Sequence, residues 1–127
     1  MARIRQIKPE VRKSLTVAAW PREVRLAWVY LWGYLDDVGR GLDSTPLIRA
    51  ECFPLDRDVT DAKLERWLAL MAEKPRHDPE DEPALCRYEV RGGRYIHAVK
   101  WANHQKVYHP QPSRLPSCPV HEPEELF

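Results

Sequence analysis

The sequence predicts an α+β fold in which three helices are followed by a β-hairpin. Apolar residues recur at helical spacing over residues 21–74, and the pattern changes to strict alternation over residues 85–101. A Gly92-Gly93 pair separates the two alternating runs and favours a two-residue hairpin turn. With 127 residues, 43% apolar content and five Trp, the chain is long enough for one domain with a sizeable core.

The longest predicted helix begins at Pro21, because the first helical turn does not need the N–H group that proline lacks. Its apolar stripe consists of Val24, Ala27, Trp28, Leu31 and Leu35. The segment 36–41 ends it, since its two aspartates favour turns and Gly39 and Gly41 can adopt positive φ. Before this helix we predict a basic N-terminal arm over residues 1–13 and a short helical turn over residues 14–19.

Two shorter helices follow, each introduced by a residue suited to an N-cap. Ser44 or Thr45 caps the second helix, which Pro54 stops. Thr60 caps the third, which ends by Lys74. The core face of the third helix is Leu64, Trp67, Leu68 and Met71. The acidic, proline-rich residues 75–84 then read as an exposed loop.

The β-hairpin and a C-terminal tail follow the third helix. The second strand of the hairpin is predicted to end at Trp101, which we expect to pack beneath the hairpin. From Pro110 onward proline is too frequent for regular structure, so the tail is predicted to be extended. We therefore divide the chain into an arm over 1–13, a domain over 14–106 and a proline-rich tail over 107–127.

Three helices followed by a hairpin is the order of a winged helix-turn-helix domain, in which a three-helix core precedes a β-hairpin wing. In that fold the third helix meets the major groove of DNA, and the wing meets phosphate or the minor groove. The basic residues that we predict to contact DNA are Arg3, Arg5, Lys63, Arg66, Arg91, Arg94, Lys100, Lys106 and Arg114. The outward residues of the third helix are mixed in charge, so base recognition is not evident there.

The charge distribution supports a phosphate-binding surface, although the formal net charge is only +1. Residues 1–13 are basic, and residues 51–90 are acidic overall. Residues 91–114 contain several Lys and Arg residues and no Asp or Glu. Such segregation leaves two basic patches on a near-neutral protein, as expected for a protein that binds a phosphate backbone. A structural hairpin with a solvated basic turn is the alternative interpretation.

Five segments, in order, resemble a phage protein family. They are the opening MARIRQIKPE (1–10), the helix and turn of 21–41, LIRAECFP (47–54), residues 94–106 with RYIH and WANHQK, and residues 110–116 with a final SRLP. The family comprises phage replication initiators and replisome organisers, which are DnaD-like. The resemblance implies a winged-helix fold, binding of double-stranded DNA at a phage origin, and replication proteins as partners. In family members the third helix usually leads straight into the first strand of the wing, whereas here the acidic loop 75–84 intervenes, and we expect this loop to lie away from the DNA.

Two other functions stay open. The same fold could serve a phage transcriptional regulator, or a protein-interaction adaptor that binds host machinery. The chain has no Ser-His-Asp order, glycine-rich phosphate loop or HExxH pattern, so we predict that it is not an enzyme. Asp36-Asp37 is interpreted as a turn rather than a metal site, and Trp28, Trp32 and Trp67 as core.

Cysteine usage and hydropathy give the remaining expectations. Cys52, Cys86 and Cys118 are widely spaced, which favours reduced thiols over a disulfide framework. Four residues could supply zinc ligands, namely His104, His109, Cys118 and His121, but their spacing matches no common finger, and we assign no metal or other cofactor. With no secretion signal or membrane-length apolar run, we expect a cytoplasmic protein without a membrane partner. Whether it forms a homo-oligomer is left open.

Overall fold

A computed structural model describes residues 4–121. Its elements are a 3-10 helix (Pro9–Lys13), α1 (Leu15–Ala18), α2 (Arg22–Tyr34), β1 (Arg40–Leu42), α3 (Thr45–Cys52), α4 (Asp61–Met71), β2 (Leu85–Val90), β3 (Gly93–Ala98) and α5 (Trp101–His104). Over these residues the fold is mixed α+β, with five α-helices and a three-stranded antiparallel sheet. Every helix in this described part is too short or too polar to cross a membrane.

The predicted helices are confirmed, and the capping residues explain where they begin. The Ser44 hydroxyl accepts a hydrogen bond from the Leu47 amide at the start of α3. The Thr60 hydroxyl accepts one from the Lys63 amide at 3.1 Å at the start of α4. These caps satisfy backbone donors that have no partner inside the helix.

The core forms where the apolar faces of α2, α3, α4 and the sheet meet. The stripe predicted on α2 is buried along its whole length, and Trp28 and Trp32 pack edge to face with ring centroids 5.9 Å apart. The prediction that these two tryptophans belong to the core is therefore confirmed. The other elements contribute Ile48, Leu64, Leu68, Met71, Leu85 and Ile96.

The sheet has the strand order β1-β3-β2 and two differently covered faces. Register pairs Leu85 with Ala98 and Arg87 with Ile96 on the inner face, where Leu85, Ile96 and Ala98 are fully buried. The alternate residues form the outer face, where Arg40, His97 and Cys86 lie side by side across the three strands. Because side chains alternate between faces along a strand, these three point away from the helices.

The hairpin turn lies one residue earlier than predicted. Val90 pairs with Gly93, so the two-residue loop is Arg91-Gly92 rather than Gly92-Gly93. Both loop residues have positive φ, 51° and 81°, as a type I′ turn requires. A turn at Gly92-Gly93 would set Leu85 opposite charged Lys100 instead of Ala98, which explains the observed register.

Three elements escaped prediction, namely the 3-10 helix, β1 and α5. Trp101 begins α5 instead of ending a strand, and it lies against the turn after α2. Its indole N–H donates to the Asp37 carbonyl at 2.9 Å, and its ring covers Gly39, which has a φ of 87°. A Cβ at Gly39 would come within 2.7 Å of the ring, so glycine is needed there both for its conformation and for space.

The predicted arm and tail pack onto the predicted domain in the described residues. Gln6 and Gln105 exchange two hydrogen bonds of 2.8 Å between side chain and backbone. Farther along, the hydroxyl of Tyr88 donates to the Pro116 carbonyl at 2.8 Å, and Cys118 is fully buried. The C-terminal segment, residues 105–121, therefore covers the outer face of the sheet rather than extending from it.

Candidate nucleic-acid interface

The tip of the β2–β3 hairpin, residues 91–94, presents two exposed guanidinium groups. Arg91 occupies the first position of the turn, and Arg94 lies opposite Glu89 near the start of β3. The Arg94 side chain is 63% exposed, and its guanidinium lies 3.7 Å from the Asp43 carboxylate. The type I′ turn holds both arginines at the end of a regular ladder, so this charge is presented by an ordered element.

The exposed side of α4 carries Arg66, which is exposed, and Lys63, which is half-buried. The acids of this helix are engaged by neighbouring side chains. Asp61 forms an ion pair with Arg49 of α3, and Glu65 accepts hydrogen bonds from Thr45 and Arg87. Hydrogen bonding from Arg87 holds the pKa of Glu65 below its ordinary value. Each of these two acids thus has a cation beside it.

Arg87 joins α4 to the hairpin, and sequence reasoning missed it. Its guanidinium binds Asp43 through two hydrogen bonds of 2.9 Å and Glu65 through bonds of 2.6 and 2.8 Å. These hydrogen bonds, first with Glu65 and then with Asp43, raise the pKa of Arg87. The Asp43 side chain is only 2% exposed, so this guanidinium is its principal counter-charge.

A signal for Arg87 existed in the alternation of β2. Arg87 shares the inward-facing set of positions with Leu85, and a charged residue at such a position needs a partner when it is buried. The partners are distant in sequence, however, and the choice between Asp43, Glu65 and other acids depends on the packing of α4. The sequence alone therefore indicates that Arg87 needs acidic partners, but it does not identify them.

Lys100 lies at the base of the hairpin, at the opposite end from Arg91 and Arg94. Its ammonium group forms an ion pair of 2.9 Å with Asp81 of the acidic loop. That hydrogen bond lowers the pKa of Asp81. The acidic loop lies away from the hairpin tip, and Lys100 lies beside this loop. The structure therefore places Lys100 beside an acid rather than at the hairpin tip, and its contact with DNA stays a prediction.

Arg5, which was also predicted to contact DNA, has a side chain that points into the protein. It donates to the carbonyls of Trp32 and Leu35 at 3.2 and 3.1 Å and forms an ion pair with Asp37 at 3.2 Å. Its guanidinium also lies 5.2 Å from the ring centroid of Trp101. The side chains of Arg5 and Asp37 are 9% and 6% exposed, so Arg5 is not available to phosphate. Arg3 lies outside the described residues.

We call this cluster the Arg5 junction, formed by Arg5, Asp37, Gly39 and Trp101. The neighbouring Asp36 shapes the turn beside it, since its carboxylate accepts from the amides of Val38 and Arg40 at 3.0 Å. The prediction that Asp36-Asp37 serves the turn is confirmed by these bonds. Asp37 does more than predicted, because it also holds Arg5 and accepts from the Gln111 amide at 2.9 Å.

The two remaining predicted contacts, Lys106 and Arg114, are exposed on the C-terminal segment. The Lys106 ammonium lies 5.5 Å from the ring centroid of Tyr108, and its amide donates to the Gln6 side chain. Arg114 lines a cleft near β1. Neither belongs to the hairpin tip or to α4, so the structure divides the predicted contacts into two groups.

The four residues considered as zinc ligands are not brought together. The ring of His104 stacks on Trp32 with centroids 5.4 Å apart, and its burial lowers its pKa. His109 is exposed in the C-terminal segment. Only Cys118 and His121 of the four are neighbours, with Sγ and Nδ1 3.4 Å apart.

Comparison of the chain with protein-family models, curated proteins and solved structures finds no match. The interpretation of the site therefore depends on the geometry and charge of the residues described above.

Proposed function

We propose that this protein binds double-stranded DNA through a winged-helix domain and is not an enzyme. The order helix, strand, helix, helix, strand, strand, from α2 to β3, is the order that such a domain uses. In the sheet order β1-β3-β2, the β2–β3 hairpin would serve as the wing. In this assignment α3 and α4 form the helix-turn-helix, with α4 as the helix directed at the major groove.

One observation carries the proposal, namely two exposed arginines at the tip of an ordered hairpin that is tied to α4. Arg91 and Arg94 would contact phosphate or enter the minor groove, while Arg66 and Lys63 would face the neighbouring groove. Because Arg87 bridges β2 and Glu65 of α4, the wing and the helix keep a fixed relation. Because their spacing is fixed before binding, the wing and the helix can contact one duplex without losing conformational entropy on binding.

The binding that this surface supports is mainly electrostatic. Guanidinium groups suit phosphate because they donate in a planar fork. Each phosphate contact releases condensed counterions, so affinity should fall steeply with salt. Lys106 and Arg114 would add contacts only if the duplex reached the C-terminal segment. On the sequence resemblance, the proposed site of action is a phage replication origin, where replisome assembly begins.

Fluorescence anisotropy of the full chain with duplex DNA, across a salt series, tests the proposal. The informative variant is Arg91→Asn/Arg94→Gln, because Asn-Gly is a preferred type I′ turn and both replacements remain polar. We expect the slope of log affinity against log salt to shrink by about 2, since each lost phosphate contact removes about 0.9. Absence of duplex binding by the wild-type chain at low salt would reject the proposal.

A charge-matched control is available on the 3-10 helix. Arg12→Gln/Lys13→Gln also removes two exposed positive charges but lies outside the hairpin and α4. If this variant reduces the salt slope as much as the hairpin variant, the effect is one of net charge. Fragments from the origin and from promoters of the same genome, compared with random duplex, separate replication initiation from transcriptional regulation.

A protein-interaction module is the second candidate function, and exposed apolar residues favour it. Leu26 and Tyr30 lie one turn apart on α2 and are 47% and 46% exposed. Tyr30 also contacts Phe53, with ring centroids 5.4 Å apart. Under this alternative, Leu26→Glu would abolish the activity, whereas Arg91→Asn/Arg94→Gln would leave it intact. Size-exclusion chromatography of the Leu26→Glu variant also tests whether this face mediates homo-oligomers.

A further inference from the structure

The outer face of the sheet holds a cluster of metal-ligand side chains under the C-terminal segment. Cys86 of β2 and His97 of β3 are register partners, and therefore point to the same side. The C-terminal segment brings Cys118 and His121 over them. One ligand atom from each of Cys86, Cys118 and His121 can be chosen so that all three lie within 4.8 Å of one another.

The two measured distances match the edges of a tetrahedral zinc site. The sulfurs of Cys86 and Cys118 are 3.7 Å apart, and Cys118 Sγ is 3.4 Å from His121 Nδ1. Two sulfurs bound to one Zn²⁺ at about 2.3 Å would lie about 3.8 Å apart. A bound sulfur and a bound nitrogen would lie about 3.6 Å apart. The side chains are therefore already placed close to the geometry that the ion requires.

The other nitrogen of His121 faces a carboxylate. His121 Nε2 lies 3.9 Å from Glu82 of the acidic loop, and the His121 side chain is 12% exposed. Histidines that bind zinc commonly direct their second nitrogen toward a carboxylate, which fixes the ring and its tautomer. This orientation leaves Nδ1 directed at the sulfur pair.

His97 lies beside these three residues on the same face of the sheet and is the candidate for a fourth ligand. It is 4% exposed, its ring centroid lies 6.3 Å from that of His121, and both residues line one cleft of about 350 Å³. Two cysteines and two histidines form one of the common structural zinc sets, and tetrahedral coordination requires four ligands. The pair Cys118 and His121 would come from one short segment, and Cys86 and His97 from one hairpin.

We propose that Cys86, Cys118, His121 and His97 form a structural zinc site that fastens the C-terminal segment to the outer face of the sheet. Binding converts each cysteine thiol to a thiolate, and the two protons pass to solvent as the sulfur–zinc bonds form. The ion would close the chain between residues 86 and 118. The proposal is independent of DNA binding, since the site faces away from α4.

The test measures metal in the purified full-length chain directly. Protein prepared with reductant and without chelator should hold one zinc per chain by elemental analysis. Titration of the metal-depleted chain with Co²⁺ should give the visible absorption of tetrahedral Co²⁺ and a thiolate charge-transfer band. Chelation of the zinc should lower the Tm by about 5 °C or more, because metal affinity is part of the folding free energy.

Matched variants assign the ligands. Cys86→Ser, Cys118→Ser and His121→Ala should each lower Co²⁺ affinity by at least about tenfold. Cys52→Ser and His109→Ala should leave it unchanged, because Cys52 is buried against the Tyr30 carbonyl and His109 is exposed elsewhere. His97→Ala should alter the cobalt spectrum, and an unchanged spectrum would remove His97 from the site. Cys86→Ser and His121→Ala keep the test meaningful should Cys118→Ser fail to fold.

Two results would overturn the proposal. One is a chain that retains no zinc and gives no tetrahedral cobalt spectrum at equimolar Co²⁺. The other is a Cys86–Cys118 disulfide that forms in the presence of zinc without reductant, which would make the pair a redox couple. Within residues 4–121 all three cysteines are thiols, so the measurement starts from the reduced chain.

Discussion

The Arg5 junction and the hairpin tip are both arginine-containing regions, and they place their guanidinium groups in opposite environments. At the junction Arg5 is 9% exposed and contacts two backbone carbonyls, the Asp37 carboxylate and the Trp101 ring. At the hairpin tip the Arg94 side chain is 63% exposed. An arginine side chain thus holds the N-terminal segment in place at the junction, whereas an arginine at the hairpin tip is available to a ligand.

The difference follows from what surrounds each region. The end of α2 leaves carbonyl groups that need donors, and Asp37 is buried beside them, so a nearby arginine satisfies several acceptors at once. The hairpin tip is a two-residue turn with a complete ladder behind it, and the buried Asp43 near Arg94 is already bound by Arg87 through two hydrogen bonds. Arginine there remains hydrated and can exchange water for phosphate. Predictions for the two regions should therefore separate stability from binding.

The largest expected effect is that of Arg5→Ala on stability. Removal of the guanidinium leaves Asp37 buried with a much weaker counter-charge, which should cost about 3–5 kcal/mol in the free energy of unfolding. Denaturant unfolding followed by tryptophan fluorescence measures this. Arg12→Ala, at an exposed position on the 3-10 helix, is the control and should change stability by less than about 0.5 kcal/mol. Similar values for the two variants would contradict the assignment of Arg5 as structural.

The two glycines of positive φ provide a second contrast between the regions. Gly39→Ala adds a Cβ that meets the Trp101 ring at 2.7 Å, whereas Gly92→Ala meets nothing within 4 Å. Backbone strain alone should cost about 1 kcal/mol at Gly92. Strain plus overlap with the ring should cost about 3 kcal/mol at Gly39. Thermal unfolding of both variants tests the order, and a greater loss for Gly92→Ala would show that the junction is less tightly packed.

A smaller effect is expected from pH, through His104 beside the junction. Burial, followed by the charges of Lys8 and Lys100, lowers the pKa of His104 below its ordinary 6.5. As the pH drops below about 6.5, His104 becomes protonated in the unfolded chain before it does in the folded chain. The contribution of His104 to the free energy of unfolding is therefore constant above about pH 6.5 and falls as the pH drops through the folded pKa. The Tm at pH 7 and at pH 5 measures this. His104→Phe keeps an aromatic ring against Trp32 and should flatten the dependence, and an unchanged slope would exclude His104 as its source.

The smallest effect is a gain in stability at the hairpin tip. Arg91 has a φ of 51°, a conformation that Asn adopts more easily than Arg, and Asn-Gly is a favoured type I′ turn. Arg91→Asn should therefore stabilise the fold by about 0.5–1 kcal/mol while it weakens duplex binding. Opposite signs in the two measurements would set the hairpin tip apart from the junction. A loss of both stability and affinity would mean that Arg91 is structural after all.

Local sequence patterns predicted α1 to α4, the caps of α3 and α4, and the hairpin. They placed the turn one residue too late, since Gly92 and Gly93 both suit a turn and the register depends on Leu85 lying opposite Ala98. They missed β1, which has three residues and forms only by pairing with the distant β3. Charge patterning could not separate Arg5 from Arg91, because the acceptors of Arg5 lie about 30 residues away. The cluster with Cys86 was also hidden, because it depends on the path of the C-terminal segment.

Chemical-shift mapping by NMR during titration with a short duplex tests the division of roles most directly. The account predicts that the largest amide changes fall on residues 91–94 and on the exposed side of α4, including Arg66. Amides of the Arg5 junction should shift little. Changes concentrated on the junction or on the C-terminal segment, with an unperturbed hairpin tip, would contradict the assignment of the hairpin tip and α4 as the DNA-binding surface.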